Sequence, residues 1–450
     1  PSRKLSRRVV WGVFVVLLIV RFGLLGDYYR EFKRKQANEE RLQLMGRPQF
    51  AGGRREGRRR RQADLRKPVA PIPTTVYRFE IEVKKEKADE LRGAYWNRGG
   101  QQGSRPKVKA TVTENGIQYN EVSMNLKGSA GSFRSFDDKP ALTLRFSKHH
   151  KDQRFHQYSK ISLNNSVQDP TYISEIISRE LFAAADVPVP KAEHATVVLN
   201  GVDRNLYVLL EGANEDFLSR YFTDLSGNLF DGGFVEDIDQ PKDTNSGKNP
   251  EDRSALDQVL AACMERDPDL RWTELNKRLD MDEFISFLAM EIMTCHWDGY
   301  SMNVNNYRVF HDKAKDRLIF IPHGMDQMFG TFRSSPETDI IPRQLRGVVA
   351  QAVLSLPEGL TRYLNRVAQL RATVFREDKL TQRVRELAAK IRPVLAAYGP
   401  DLAEEHDDSV AQLINRITRR AASITEQLAW YQKQLEASKT SPDTKDDTPK

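Results

Sequence analysis

The chain has 450 residues and a mass of 51.6 kDa, with 39% apolar residues, 29% charged residues and a formal net charge of +8. That apolar content excludes a fully disordered protein and is too low for a multi-span membrane protein. Two cysteines exclude a disulfide-built scaffold and a cysteine-ligated zinc domain.

The charge is uneven. Residues 1 to 67 hold 19 Lys or Arg against 6 Asp or Glu, a local +13 that leaves −5 on residues 68 to 450. A basic excess confined to one end argues against specific nucleic-acid binding, which needs charge spread over a folded face. Arg3, Lys4, Arg7 and Arg8 precede the apolar run from Val9 to Val20, followed by Arg21 and Phe22 to Gly26. Eighteen positions at about 1.5 Å each cover roughly 27 Å. Residues 1–30 are therefore expected to be an uncleaved single-pass membrane anchor, with the globular domain outside the cytoplasm. Residues 31–73 carry Arg54, Arg55 and Arg58 to Arg61 among glycines, then Pro68, Pro71 and Pro73. This pattern predicts a disordered basic linker, with Arg54 to Arg61 available to an anionic surface.

From Val76 to Val83 apolar and polar residues alternate with period two, and the same signal returns over 107–113, 116–126 and 140–146. An N-terminal, largely antiparallel sheet is expected over residues 74–222. Within it, Asp169-Pro170 should open a helix with Ile173, Ile176, Ile177, Leu181 and Ala184 on one face, before strands at 192–199 and 206–211 and a short helix at 215–221. Residues 223–436 read as helix-rich, with an acidic loop to 253, helices at 254–266 and 282–295, a hairpin over 304–310 and 317–321, and helices from 358. Residues 437–450 read as a polar tail. The fold class is α+β, with a sheet-rich nucleotide lobe followed by a helix-rich catalytic lobe.

The chemistry concentrates after residue 295. Asp298 is followed five positions later by Asn303, then by the hairpin, then by Asp326-Gln327-Met328-Phe329-Gly330. A phosphoryl-transfer site needs one carboxylate to orient the attacking hydroxyl. It also needs a carboxylate and amide oxygens to hold Mg²⁺ or Mn²⁺ against the phosphates of ATP. Asp298 and Asn303 fit the catalytic loop, and Asp326, Asn303 and Asn306 fit the metal side. Lys139, at the head of the strand after the Gly128–Ser132 turn, is the expected nucleotide lysine. Glu175 or Glu180 on the following helix is its expected partner. His149, His150 and His156 have no zinc spacing, and Asp243 to Gly247 has its glycine one place early for an EF-hand. Cys263 and Cys295 read as buried thiols.

These residues resemble the CotH kinase family of atypical protein kinases, related to spore coat protein H. The resemblance runs through Leu126-Lys127-Gly128-Ser129, Ile161 to Asn165 with Asp169-Pro170, Leu206 to Glu211, Gly227-Asn228-Leu229-Phe230, Asn305-Asn306-Tyr307 and Phe320 to Gly330. It implies a two-lobed kinase-like fold, ATP with a divalent metal, and phosphate transfer to Ser or Thr of a protein substrate. It also implies that Glu211 faces the nucleotide. One departure stands out: Gly324 occupies a position where the family usually has a carboxylate. Two readings stay open at this point, an active kinase and a kinase-like scaffold that binds an envelope or cell-surface protein or polymer without turnover.

Overall fold

The computed structural model describes residues 65–96 and 105–440, with side chains as far as residue 434. The expected anchor at 1–30, the basic segment Arg54 to Arg61 and the end of the tail lie outside those residues. The expectation of a single-pass membrane protein with an extracytoplasmic domain is corrected here. No helix among the described residues is long and apolar enough to cross a membrane, and the run that motivated the expectation is not among them.

The first strand β1 (Tyr77–Glu82) is followed by helix α1 (Lys85–Arg92) and by β2 (Val108–Glu114), β3 (Ile117–Lys127), β4 (Ala141–Arg145) and β5 (Lys160–Asn164). Helix α2 (Ser174–Ala184) then leads to β6 (Ala192–Leu199) and β7 (Val202–Glu211). These strands close into a barrel in the order β1-β2-β3-β4-β5-β7-β6. Six pairings are antiparallel, and the seventh, β1 with β6, is parallel and sets Tyr77 opposite Ala195. The pairing is largely antiparallel, as expected, and its closure into a barrel is an addition to that expectation. Period-two alternation reports which face of a strand is buried, and it is blind to a strand that returns to pair with the first.

Alternation sorts the barrel's two faces. Met124, Leu126, Leu142, Leu144, Ile161 and Leu163 point inward to a core shared with Phe79, Phe146 and Phe155. The residues between them, Lys127, Thr143, Arg145, Lys160, Ser162 and Asn164, are partly exposed on the outer face of β3, β4 and β5. Strand β7 is buried on both faces. Tyr207 and Leu209 join the barrel core, while Leu206, Val208 and Leu210 join a second cluster with α2 and the later helices.

The remaining chain runs through α3 (Glu215–Leu218), β8 (Leu229–Asp231), β9 (Thr244–Ser246), α4 (Ser254–Met264), α5 (Pro268–Arg278), α6 (Met281–Met293) and α7 (Tyr300–Asn303). Strands β10 (Tyr307–Asp312) and β11 (Arg317–Pro322) complete a four-stranded sheet in the order β11-β10-β8-β9. Helices α8 (Val348–Leu354), α9 (Pro357–Thr373), α10 (Glu377–Ala396) and α11 (Pro400–Thr440) follow. Helix α6 is apolar on nearly every side and buried over all but one of its positions, as befits a helix at the centre of the second core. Its first turn is capped by the Asp280 carboxylate. The expected cap at Asp169 works from further off. Helix α2 begins at Ser174, and the Asp169 carboxylate reaches across an intervening turn to accept from the backbone N–H groups of Thr171 (3.0 Å) and Ser174 (2.9 Å).

Candidate active site

Helix α6 ends at Met293, and the segment from Thr294 to Gly299 carries Asp298 to the start of the one-turn helix α7. The loop's shape comes from Glu291, one turn back on α6. One Glu291 oxygen accepts from the Tyr300 N–H and the other from the Ser301 N–H, each at 2.8 Å, so a buried side chain supplies the acceptors that a helix start needs. Gly299 makes room for it. A Cβ there would lie 2.8 Å from the Glu291 carboxyl carbon and 2.7 Å from His296 Nδ1. Burial pushes the Glu291 carboxyl up to about 7 despite the Ser301 and Tyr300 donors, and burial pushes the neighbouring His296 ring down to about 4.

Asp298 is surrounded by amides. Its Oδ1 accepts from Asn303 at 2.6 Å, and its Oδ2 accepts from Asn305 at 3.1 Å and Asn306 at 2.9 Å. Burial raises its carboxyl above the ordinary range, and the three amides and the Arg333 charge oppose that rise. Asn303 and Asn306 thus stand beside Asp298, as their spacing implied. The Asn303 oxygen is taken by Arg346 Nη1 at 2.6 Å, which leaves Asn306 as the amide turned toward Gly324.

Two backbone bonds tie the Asp326 segment to this loop. The Phe329 N–H donates to the Thr294 carbonyl at 2.7 Å, and the His323 N–H to the Asn306 carbonyl at 2.9 Å. Phe329 is fully buried with φ of +57°, a left-handed conformation held by its surroundings. Arg420 of α11 fixes the same region from behind. Its buried guanidinium donates to the carbonyls of Ile292 (2.8 Å) and Met293 (3.0 Å) at the end of α6, and to those of Pro336 and Thr338.

Burial first, and then the charges of Glu175 and Asp169, push the Asp326 carboxyl up to about 8. Among the described residues no side chain donates a hydrogen bond to it. The charge of Lys127, at the end of β3, opposes that rise; its own ammonium is lowered by burial and supported by the charges of Glu175 and Asp326. Glu175 is fully buried, bound by Arg179 at 2.7 Å and Asn164 at 3.0 Å. Arg179 and Lys127 hold it below its ordinary range against the effect of burial. Around them gather Lys160, pushed down to about 7 by burial and by Arg308, and His323, held well below its ordinary value by burial and by Arg308 and Lys127. The polar outer face of β3, β4 and β5 thus places Lys127 and Lys160, basic groups whose charge burial disfavours, within electrostatic reach of each other, with Lys127 also in reach of Asp326.

The other expected residues lie elsewhere. Lys139 is buried under Tyr172, donating to its hydroxyl at 3.0 Å, and lies 4.9 Å and 5.2 Å from the Tyr172 and Tyr207 ring centroids. Glu180 pairs with Arg383 on the surface at 2.8 Å. Both oxygens of Glu211 are engaged by Arg220, and one also accepts the Lys191 N–H at 2.8 Å. Sequence reasoning missed Lys127, Glu291 and Arg420. Glu291 had a signal, a lone acid inside the apolar run from Phe284 to Met293. Lys127 had one too, in the Lys-Gly pair that ends a strand.

The profile of the CotH kinase protein family matches residues 125–424, two thirds of the sequence. The chain belongs to the CotH kinase family. Among relatives, invasin CotH2 of Rhizopus delemar is 23% identical over 250 residues, which are 49% of this chain and 42% of that protein. The inner spore coat protein H of Bacillus subtilis is 20% identical over 301 residues, 62% of this chain and 81% of that protein. The chain therefore spans less than half the length of the invasin and most of the coat protein. Among solved structures, the proinflammatory kinase CtkA of Helicobacter pylori aligns over 66% of this chain and 95% of its own, at 11% identity and a TM-score of 0.27. The family match includes Lys127, Glu175, Asp298, Asp326 and Arg420.

Proposed function

We propose that this CotH family member transfers the γ-phosphate of ATP to Ser or Thr hydroxyls of a protein in the cleft between the outer barrel face and the Asp298 loop. The observation that carries the reading is that the Asp326 segment is bonded through Phe329 to the loop that holds Asp298 among three amides, with the charges of Lys127 and Glu175 acting on Asp326. Lys127 and Lys160 would engage phosphate oxygens, and the charge of Glu175 opposes the loss of charge that burial imposes on Lys127. Asp298, fixed by three amides, would orient the acceptor hydroxyl and take its proton. The amides donate to its oxygens, so a substrate hydroxyl must displace or share one of those bonds.

Among the described residues no three His, Cys, Asp or Glu side chains gather at metal-binding distance. A magnesium ion at a nucleotide site takes only one or two carboxylates and fills its remaining positions with phosphates and water. Asp326, without a donor side chain, fits that donor set, with Asn306, whose amide lies against Gly324, as the neighbouring amide. Bound there, the ion would neutralise charge on the phosphate oxygens.

A second reading, a binding scaffold without turnover, rests on Gly324. Its φ is +59°, and a Cβ would lie 2.5 Å from the Asn306 amide carbon, so the usual carboxylate has no room while Asn306 points there. The test is thermal unfolding of the full chain with and without ATP and Mg²⁺ or Mn²⁺, beside Asp326→Ala and Lys127→Ala, followed by radiolabel transfer from γ-labelled ATP. A ligand at 100 times its Kd adds about 2.7 kcal/mol. A metal-dependent shift lost in both variants, with label transferred, supports the kinase. A shift without transfer supports the scaffold, and no shift with either metal overturns the nucleotide site.

A further inference from the structure

At the opposite end of α6 from Asp298 lies a cavity of about 600 Å³, walled by Pro188, Phe222, Ile285 and Ile319, with Tyr221 half-exposed among the residues that line it. That volume is in the range of small-molecule sites. The acids around it are answered by bases. Asp186 pairs with Arg366 at 3.5 Å, Asp280 with Lys315 at 3.7 Å, and Asp282 with Arg362.

Glu283 is the exception. It lines the cavity and is 8% exposed. Its Oε2 accepts from the Phe320 N–H at 3.4 Å, on the edge strand β11, and its Oε1 is buried with no hydrogen-bond partner. A neutral amide would serve the edge strand equally well. A carboxyl group with one idle oxygen, on a helix turn otherwise made of Phe284, Ile285, Phe287 and Leu288, has no structural task that explains the choice of an acid.

We propose that this cavity is a second ligand site, which takes the ammonium or guanidinium end of an alkyl chain, with Glu283 as its counter-ion. Charge complementarity sets the class. Once the three rim pairs are neutralised, the Glu283 carboxyl is the acid of the lining left without a partner. Burial raises it well above its ordinary range, and a cation seated beside it would draw its proton off, whereas an anion would gain nothing there. The aliphatic walls suit an alkyl stem, and the rings of Tyr221 and Phe222 attract a cation through their faces. Such a group reaches the protein either as a free amine or as a Lys or Arg side chain of another polypeptide. The site shares no residue with the Asp298 cleft, so it stands whether or not the kinase reading does.

The test is calorimetric titration of the full chain with n-butylamine, n-butylguanidine and neutral 1-pentanol, and with the blocked peptides acetyl-Gly-Lys-Gly-amide and acetyl-Gly-Arg-Gly-amide. One-to-one binding of a cation, at least tenfold tighter than pentanol and weakened at least tenfold by Glu283→Gln, is expected. A peptide that binds tenfold tighter than its free amine identifies a protein side chain as the source, and equal or weaker peptide binding identifies a free amine. Tyr221→Ala, at a half-exposed position, should weaken binding several-fold and serves if the Glu283 variant does not fold. No saturable binding of either cation, or binding unchanged in Glu283→Gln or in Tyr221→Ala, overturns the proposal.

Discussion

Glu291→Ala should undo the Asp298 loop. The Tyr300 and Ser301 side of α7 is fully buried, so water cannot replace the two acceptors that the Glu291 carboxyl supplies at 2.8 Å. Two orphaned backbone donors cost roughly 1–3 kcal/mol each, and the loss of a buried carboxyl returns part of that sum, for a net of roughly 2–4 kcal/mol. Urea unfolding followed by far-UV circular dichroism measures the total. In a background with the other four tryptophans replaced by Phe, Trp297 fluorescence measures the loop itself, because that indole packs 5.3 Å from the Phe332 ring beside Asp298. The variant should unfold at lower urea with an unchanged slope, and its Trp297 emission should shift before global unfolding. A loss below roughly 0.5 kcal/mol would refute the account, since such a value is typical of a residue outside any buried network. The same carboxyl gives a pH signature. Its folded value of about 7 lies above the ordinary 4.5, so the folded state holds the extra proton between those values. That stability is present in full below about pH 4.5 and is lost as pH rises through 7, an effect on the order of 3 kcal/mol. Glu291→Gln should lack this component of the pH profile.

Four further outcomes are expected. Lys127→Ala should weaken ATP binding at least tenfold with little change in the urea midpoint. Lys139→Met should do the reverse, costing roughly 1–2 kcal/mol through its lost cation–π contacts and leaving ATP affinity unchanged in calorimetry. Gly324→Asp should destabilise by roughly 1–3 kcal/mol through left-handed strain and collision with Asn306. Adding Asn306→Ala should recover part of that loss, and full additivity in the double-mutant cycle would show that the two positions do not collide. Arg420→Met should cost roughly 3–5 kcal/mol, because four buried carbonyls lose a charged donor, and a urea midpoint close to that of the parent chain would contradict this.

Local signals were legible in the sequence. The alternation at 76–83, 107–113 and 116–126 marks β1, β2 and β3, and the apolar spacing from Ile173 to Ala184 marks α2. The Asp298 to Asn303 spacing puts two partners within 2.6 Å of each other, because five residues cover the one-turn helix between them. What stayed hidden depends on long-range pairing. Lys139 and Lys127 both stand at the ends of strands, and nothing in either neighbourhood says which faces Glu175. The closed barrel decides it by turning Tyr172 and Tyr207 onto Lys139 and the outer face of β3 onto the cleft. Short strands such as β9, three residues in an acidic loop, have no periodicity to read and form because β8 offers them an edge. The spacing of the motifs gave their order along the chain, and side-chain packing separates Lys139, under two tyrosine rings, from Lys127, within reach of the Glu175 charge.

The parallel pairing of β1 with β6 has a consequence for how the chain is made. During synthesis the first five strands leave the ribosome well before Ala195 exists to meet Tyr77, and domains fold from the N-terminal side as they emerge. Until then β1 presents an unpaired edge, a surface that invites pairing with a neighbouring chain. Contacts separated by this much sequence also form slowly, since the loop must close before it is rewarded. Yield in the cell should therefore depend on translation speed across residues 83–195 and on chaperone supply, more than on the stability of the finished barrel.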